Sequence, residues 1–282
     1  MDDSSIPTRP QARPAPDHRR YPGIRVTSVA RGLRWAAARW PFVEDEVAGL
    51  RPLVRPGAVC LDIGAEYGLY TWSLSALAGP TGQVHGIEPL PGPARWLTTA
   101  ATLLGCDNVT VHRTALGEQP RTGVMSLPRR RLLPVHGRAY LTEGASDPGP
   151  NTEFRSSRPV PTPVQTVDGL CRQLRLTRVD FIKADVEGAE SAVLSGAGET
   201  LLRDRPPLLL EIEDRHLAKY GTESGAIVRH LAELGYGMHR WSQRSWQPVA
   251  EVTEDRRNYL FSARPLPSIP PPPIPRPPIR RN

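Results

Sequence analysis

The sequence predicts a doubly wound α/β fold: a mostly parallel, seven-stranded sheet with helices on both faces. Three observations carry that prediction. Short apolar runs alternate with helix-length amphipathic segments from residue 58 to residue 234, the pattern of a parallel sheet covered on both sides. A turn containing two glycines, Gly64-Ala65-Glu66-Tyr67-Gly68, directly follows the first apolar run. Acids stand near the carboxyl ends of several runs, where such folds bind their ligands.

Taken in order, Val26 to Trp40 reads as a first helix and Phe42 to Val54 as a second, with Glu44, Asp45 and Glu46 in its first turn, where the helix dipole favours acids. Arg55-Pro56-Gly57 turns the chain into a buried strand, Ala58 to Ile63, and a helix from Tyr70 to Leu77 follows the glycine turn. Strand Gln83 to Ile87, helix Ala94 to Leu104 and strand Val109 to Thr114 repeat the unit. Beyond a long interval come strand Phe181 to Ala184, helix Ala189 to Leu202, strand Leu208 to Ile212 after two prolines, and helix Glu223 to Leu234 stopped by Gly235. Gly237 to Trp241 and Asn258 to Ser262 are expected to close the sheet as a terminal hairpin. The interval from 123 to 166 breaks the rhythm; with short strands expected at Val124 to Leu127 and Pro163 to Val167, it reads as an insertion or lid.

The organisation expected is a disordered tail over 1–22, one domain over 23–263 and a Pro-rich disordered tail over 264–282, where many of the 32 prolines gather. The net charge of +7 is carried almost wholly by arginine, since Lys183 and Lys219 are the only lysines. An arginine bias spread along the whole chain does not define a nucleic-acid-reading surface, so nucleic acid is disfavoured as a partner. Cys60, Cys106 and Cys171 lack metal or disulfide spacing and read as reduced thiols. No apolar run reaches the roughly 20 residues of a membrane span, and the opening residues lack the apolar core of a secretion signal. A cytoplasmic location is expected.

The chemistry concentrates in three places. Gly64 and Gly68 let the backbone turn sharply beside a ligand, but Asp62 and Glu66 flank that turn and would repel a pyrophosphate. A phosphate-free, cationic nucleoside such as S-adenosylmethionine suits the loop instead. Glu88, 26 positions after Asp62, ends the second strand where an acid accepts hydrogen bonds from ribose hydroxyls; that spacing alone also fits a nicotinamide cofactor. The run Asp180-Phe181-Ile182-Lys183-Ala184-Asp185-Val186-Glu187-Gly188-Ala189-Glu190 sets Lys183, Asp185 and Glu187 at the end of a central strand. Charges there are costly unless they serve a ligand or a buried network.

That last run, continued by Val193-Leu194 and Gly196, resembles the signature of the FkbM family of methyltransferases. LDIGAEYGLYT from Leu61 to Thr71, Glu88-Pro89, Thr114-Ala115-Leu116, Thr166-Val167-Asp168 and Leu209-Leu210-Glu211-Ile212 agree with it. The likeness extends over roughly 42–262. It implies a class I, Rossmann-like methyltransferase fold and S-adenosylmethionine as cofactor. It further implies methylation of a hydroxyl on a small molecule such as a sugar or a product of secondary metabolism. By motif, Asp62, Gly64, Ala65, Glu66 and Gly68 would surround the methionine portion, Glu88 the ribose, and Ala115 and Leu116 the adenine. Glu66 stands where the family commonly has Asn. An alcohol needs help in losing its proton, and Asp185, Glu187 and His216 are the candidate bases. Asp185, Glu187, Glu211 and Glu213 could gather a cation, but their spacing does not require one, and no metal is expected. Alternative readings are an RNA or protein methyltransferase, a nicotinamide-dependent oxidoreductase, or a non-catalytic relative that binds a partner through its Pro-rich tail.

Overall fold

The structure, a computed structural model, describes residues 24–37 and 44–266. The expected tail over 1–22 and all but the first three residues of the tail over 264–282 lie outside the described residues. So does the start of the expected second helix.

Helix α1 (Ile24–Ala37) and a 3-10 turn (Asp45–Leu50) precede strand β1 (Val59–Ile63). Then come α2 (Leu69–Ala78), β2 (Gln83–Ile87), α3 (Pro91–Leu104), β3 (Val109–His112) and the short β4 (Ala115–Leu116). The insertion contributes β5 (Arg121–Arg130), β6 (Leu133–Pro134), β7 (Tyr140–Leu141) and β8 (Ser156–Gln165). The chain returns through α4 (Val167–Leu174), β9 (Phe181–Ala184), α5 (Glu190–Ser195), α6 (Gly198–Asp204), β10 (Leu208–Glu211), α7 (Asp214–Leu217) and α8 (Ser224–Glu233). It finishes on β11 (Gly237–Ser242), β12 (Ser245–Pro248) and β13 (Asn258–Ser262).

The main sheet has eight strands in the order β12-β11-β13-β10-β9-β1-β2-β3. From β10 to β3 every pairing is parallel, and the three pairings made by β13 and β11 are antiparallel. All five residues of β1 are buried, as are all four of β9, as expected of strands covered on both faces. One apolar cluster built around Leu61, Ile182, Leu210 and Tyr259 packs on one face. Another, around Cys60, Leu74, Phe181 and Leu209, packs on the other.

Four expectations are corrected. The eighth strand, β12, pairs with β11 through a two-residue turn in which Gln243 and Arg244 both take positive φ (50° and 62°). That backbone is normally supplied by Asn-Gly, so the residue types hid the hairpin. Strand β13 is not the outer arm of a hairpin with β11 but lies between β10 and β11. The expected helix from Ala189 to Leu202 is two helices, broken at Gly196, where a side chain would meet the Gly117 carbonyl oxygen at 2.2 Å. Helix α4 was not anticipated, although Thr166 caps it by accepting a hydrogen bond from the Gly169 amide at 2.9 Å.

The insertion is a second sheet of five strands, β4-β8-β5-β6 with β7 on β5. Its body is a ribbon in which β5 and β8 pair antiparallel from Arg121↔Val164 to Arg129↔Ser156. Strand β8 carries prolines at every second position, Pro159, Pro161 and Pro163. Beyond its brief pairing with β4 its far side is an open edge, and period-two spacing puts all three missing amides on the same side, where a strand tolerates them.

Candidate active site

The cleft opens at the carboxyl ends of β1, β2, β9 and β10, and the insertion roofs it. It holds about 980 Å³ of space free of atoms, counting its open mouth. Its floor is polar, with Glu66, Glu88, Asp185, Glu187 and Glu211, while Leu90, Ala115 and Leu116 form an apolar wall. The insertion adds Met125, His136, Gly137, Ala139 and Leu141.

The turn after β1 is shaped by close packing. Gly64 has φ 79°, and a Cβ there would lie 1.8 Å from the Asp185 carbonyl oxygen. Only glycine lets the β1 turn pass the end of β9. Gly68, with φ 91°, begins α2 against Trp72, whose indole atoms would sit 2.4 Å from an added Cβ. Glu66 occupies the left-handed region at φ 44°, and its amide donates to Glu88 Oε2 at 3.0 Å. The other Glu88 oxygen accepts from the Leu90 amide at 2.8 Å. Burial nevertheless pushes the Glu88 carboxyl up to about 7, against the pull of those two amides. Asp62 is fully enclosed under the turn and accepts from Thr71 Oγ1 at 2.5 Å. Burial lifts it to about 6, opposed by the Thr71 hydrogen bond and the Lys183 ammonium.

At the end of β9, Lys183 is only 1% exposed. Its Nζ lies 3.8 Å from Asp185 Oδ2, 5.1 Å from the centre of the Tyr70 ring, and donates to the Ala184 carbonyl at 3.2 Å. Burial pushes Asp185 up, but the Lys183 ammonium and a hydrogen bond from the Glu211 carboxyl outweigh it and hold Asp185 below the usual carboxylate range. Glu211 moves the other way: burial and then the Asp185 charge raise it well above its ordinary value. Burial and the Asp185 charge thus push Glu211 towards its neutral form, while the Lys183 ammonium favours the anion at Asp185.

Glu187, at φ 57°, approaches His216 on α7, with Oε2 2.7 Å from Nδ1. The approach is short but poorly aligned, and this buried oxygen accepts no hydrogen bond. His216 is enclosed, with Arg138 Nη1 3.4 Å from Nε2 and Lys219 Nζ 3.4 Å from Nδ1. His216 is 4% exposed, and the insertion reaches across to cover it through Arg138. Lys219 is wholly buried over the Tyr140 ring, 4.4 Å from its centre, and burial lowers it to about 8.

Of the expected cofactor residues, Gly64, Glu66, Glu88, Ala115 and Leu116 line the cleft, as do Asp185 and Glu187. Asp62, Ala65 and Gly68 do not; they shape and brace the turn from behind. His216 stands one contact away, behind Glu187. Asp185, Glu187 and Glu211 bring carboxylate oxygens within 4.8 Å of one another, close enough for a shared cation, whereas Glu213 pairs with Arg215 at 2.6 Å. Sequence reasoning missed Glu44, Arg257 and the His136–Leu141 segment, which reach the cleft through tertiary structure. Tyr70, which donates to Glu44, lies within a quoted motif and gave the only hint of the first.

A family model, the methyltransferase FkbM domain, matches residues 62–238, more than half of the chain. The chain belongs to the FkbM methyltransferase family. Among solved structures it is similar to a methyltransferase FkbM from Methylobacillus flagellatus, with 15% identity over 85% of this chain and a TM-score of 0.45. This chain spans 58% of that protein's length. It is also similar to an O-methyltransferase from Bacillus cereus in complex with S-adenosylhomocysteine, with 12% identity over 84% of this chain and 89% of that one and a TM-score of 0.45. Fibrillarin from Aeropyrum pernix, with bound S-adenosylmethionine, shares 15% identity over 81% of this chain and 76% of that one, with a TM-score of 0.44. No curated protein sequence matches the chain.

An FkbM methyltransferase depends on S-adenosylmethionine, and this cleft fits that molecule. Its floor is rich in carboxylates that attract a sulfonium and an ammonium, and its wall is apolar where an adenine needs a dry surface. Among the described residues Arg257 is the only lysine or arginine lining it, which suits a nucleoside without phosphates. Among the described residues no helix is long and apolar enough to cross a membrane.

Proposed function

We propose that this methyltransferase acts on a hydroxyl of a small molecule, within one domain over about 23–263 whose insertion serves as a lid. The observation that supports this reading is the Glu187–His216 pair beside the Asp185–Glu211 pair. Two carboxylates at one cleft floor are kept in different states by their neighbours, a pattern that separates electrostatic and basic roles.

In this reading Glu88 holds the ribose hydroxyls with the lone pairs its two amide donors leave free. Ala115 and Leu116, with Leu90, hold the adenine, and the Gly64–Glu66 turn holds the methionine portion, braced from below by Asp62 and Thr71. Bound S-adenosylmethionine supplies a methyl group already activated on sulfur. What the chain supplies is alignment and proton removal. Asp185, held ionised by Lys183 and Glu211, is a weak base and a strong electrostatic partner for a cation. Glu187, which lines the cleft with His216 behind it, takes the acceptor's proton as the acceptor oxygen attacks. Lid residues Met125 and Leu141 exclude water.

Calorimetry with S-adenosylmethionine and S-adenosylhomocysteine, followed by transfer of labelled methyl to a panel of alcohols, tests the reading. Binding of both nucleosides and label in an ether product are expected. A protein that ignores both yet holds a nicotinamide dinucleotide is not this enzyme. Loss of transfer on dialysis against a chelator would assign the three-carboxylate cluster to a cation.

A further inference from the structure

A second cavity adjoins the cleft and has the opposite electrostatic character. It lies between the start of α3 and the β5–β8 ribbon, and it shares Leu90 and His136 with the cleft. Arg95, Arg129, Arg158 and His136 line it, and among the described residues no acid does. Several other arginines are matched by acids: Arg172 with Glu199, Arg178 with Asp180, Arg203 with Asp204 and Arg215 with Glu213. Arg95 and Arg158 have no ion pair or hydrogen bond among the described residues. The Arg129 guanidinium is fixed in place, since Nε and Nη2 both donate to the Leu132 carbonyl, at 3.2 and 2.9 Å. The first turn of α3 carries no acid to neutralise the cavity.

Strand register ties the two cavities together. Met125, Leu127 and Arg129 alternate onto one face of β5, and Val160 and Arg158 stand directly opposite Met125 and Leu127 on β8. That single face therefore runs from the cleft, which Met125 lines, to the cationic cavity lined by Leu127, Arg129, Arg158 and Val160. A ligand lying along it meets carboxylates at one end and guanidiniums at the other. A phosphate is repelled from the first and held by the second, where arginine offers forked donors to its oxygens.

We propose that this cavity is an anion subsite that receives a phosphate or diphosphate group of the acceptor, so that the alcohol methylated is a phosphorylated small molecule. The identity of the anion's carrier rests on the hydroxyl-methylation reading; the anion subsite itself does not.

The experiment is calorimetry of the full chain with inorganic pyrophosphate, with and without saturating S-adenosylhomocysteine, on the wild type and on the double variant Arg95→Gln/Arg158→Gln. Pyrophosphate is expected to bind the wild type whether or not the nucleoside is present, and at least ten-fold more weakly in the variant. The variant's affinity for S-adenosylhomocysteine should not change. Absence of pyrophosphate binding, equal binding by the variant, or displacement by the nucleoside each overturns the subsite. A wild type that binds pyrophosphate but not the nucleoside keeps the subsite and removes the methyltransferase reading. Labelled methyl supplied with sugar phosphates and the same unphosphorylated sugars then identifies the carrier. Preference for the phosphorylated set, lost in the double variant, supports an acceptor phosphate. Indifference to phosphorylation, or displacement of pyrophosphate by a short RNA at far lower concentration, overturns it.

Discussion

The two halves of the cleft are built by different rules. The half at the strand ends is fixed by backbone packing: β1, β9 and β10 are fully paired, and Gly64 passes so close to Asp185 that no side chain fits between them. The half contributed by the insertion is tied in by a few main-chain bonds, such as the Ser146 amide to the Lys219 carbonyl at 2.7 Å, and otherwise meets the floor through side chains. Tyr67 Oη and His136 Nδ1 lie 2.8 Å apart, and Gly137 comes close to the Glu66 carboxyl. A rigid floor that sets charge and a roof attached in part by side chains suit an enzyme that must align reactants tightly and still release them.

This contrast is broken most directly at Gly64. Gly64→Ala adds an atom 1.8 Å from a backbone oxygen at φ 79°, where the neighbour is main chain and cannot rotate away. The expected cost is at least about 4 kcal/mol, a fall in melting temperature of at least about 8 °C. A variant that melts with the wild type would show that the floor is not rigid. Next comes Glu187→Gln, which keeps the shape and removes the base. Transfer of labelled methyl should drop at least about 100-fold, on the order of 2.7 kcal/mol, with S-adenosylhomocysteine affinity kept within about three-fold. Equal losses in Asp185→Asn and none in Glu187→Gln would reassign the base to Asp185.

The same contrast divides what was legible in the sequence. The floor could be read because β1 and β9 announce themselves as short apolar runs that end in acids and glycine, so local pattern and tertiary position coincide. The roof could not. Prolines at alternate positions of β8 look like coil unless the strand is known to be an edge. The turn Arg131-Leu132 between β5 and β6 takes positive φ at both residues, 48° and 71°, with side chains that do not advertise it. Gln243-Arg244 hid β12 in the same way. The acids were legible as types, but their division of labour was not: Glu211 is pushed up and Asp185 down because they face each other at the ends of β9 and β10, and His216 meets Glu187 because α7 folds back over Gly188. Both facts are long-range.

A smaller effect is expected from pH. Burial has raised Glu88 to about 7 and Asp62 to about 6, so both must lose protons before they serve as full anions. Protons compete with the nucleoside at Glu88, which lines the cleft, while Asp62 acts from behind the turn through its charge. Affinity for S-adenosylmethionine should be level above about pH 7.5 and fall as pH drops through 7 towards 5.5, by roughly ten-fold for one unit of linked proton. Binding at pH 6.5 should release protons, seen as a dependence of the apparent enthalpy on the buffer's ionisation heat. For folding, the sign is the reverse. Both carboxyls protonate more readily in the folded chain, so their contribution to stability is greatest below about pH 4 and is lost as pH rises through 6 to 7. Affinity that strengthens on acidification would mean that Glu88 does not meet the ligand as an anion.

The smallest effect, and the one that isolates the roof, belongs to Tyr67→Phe. Tyr67 is 48% exposed and His136 stacks edge-on against it, with ring centres 5.9 Å apart. The substitution keeps the stacking and removes only the hydroxyl. An exposed hydrogen bond contributes about 0.5–1.5 kcal/mol, which sets the size of the change. If the contact fastens the lid, its loss should leave the association rate of S-adenosylhomocysteine unchanged and speed its dissociation by about two- to ten-fold, since loosened contacts act mainly on the off-rate. The melting temperature should move by no more than a few degrees. Stopped-flow displacement separates the two rates. Faster dissociation in Tyr67→Phe, with the floor residues untouched, would make the roof the part of this cleft that times release. Unchanged rates would leave Tyr67 and His136 as a surface contact with no hold on the ligand, and the floor would then account for affinity by itself.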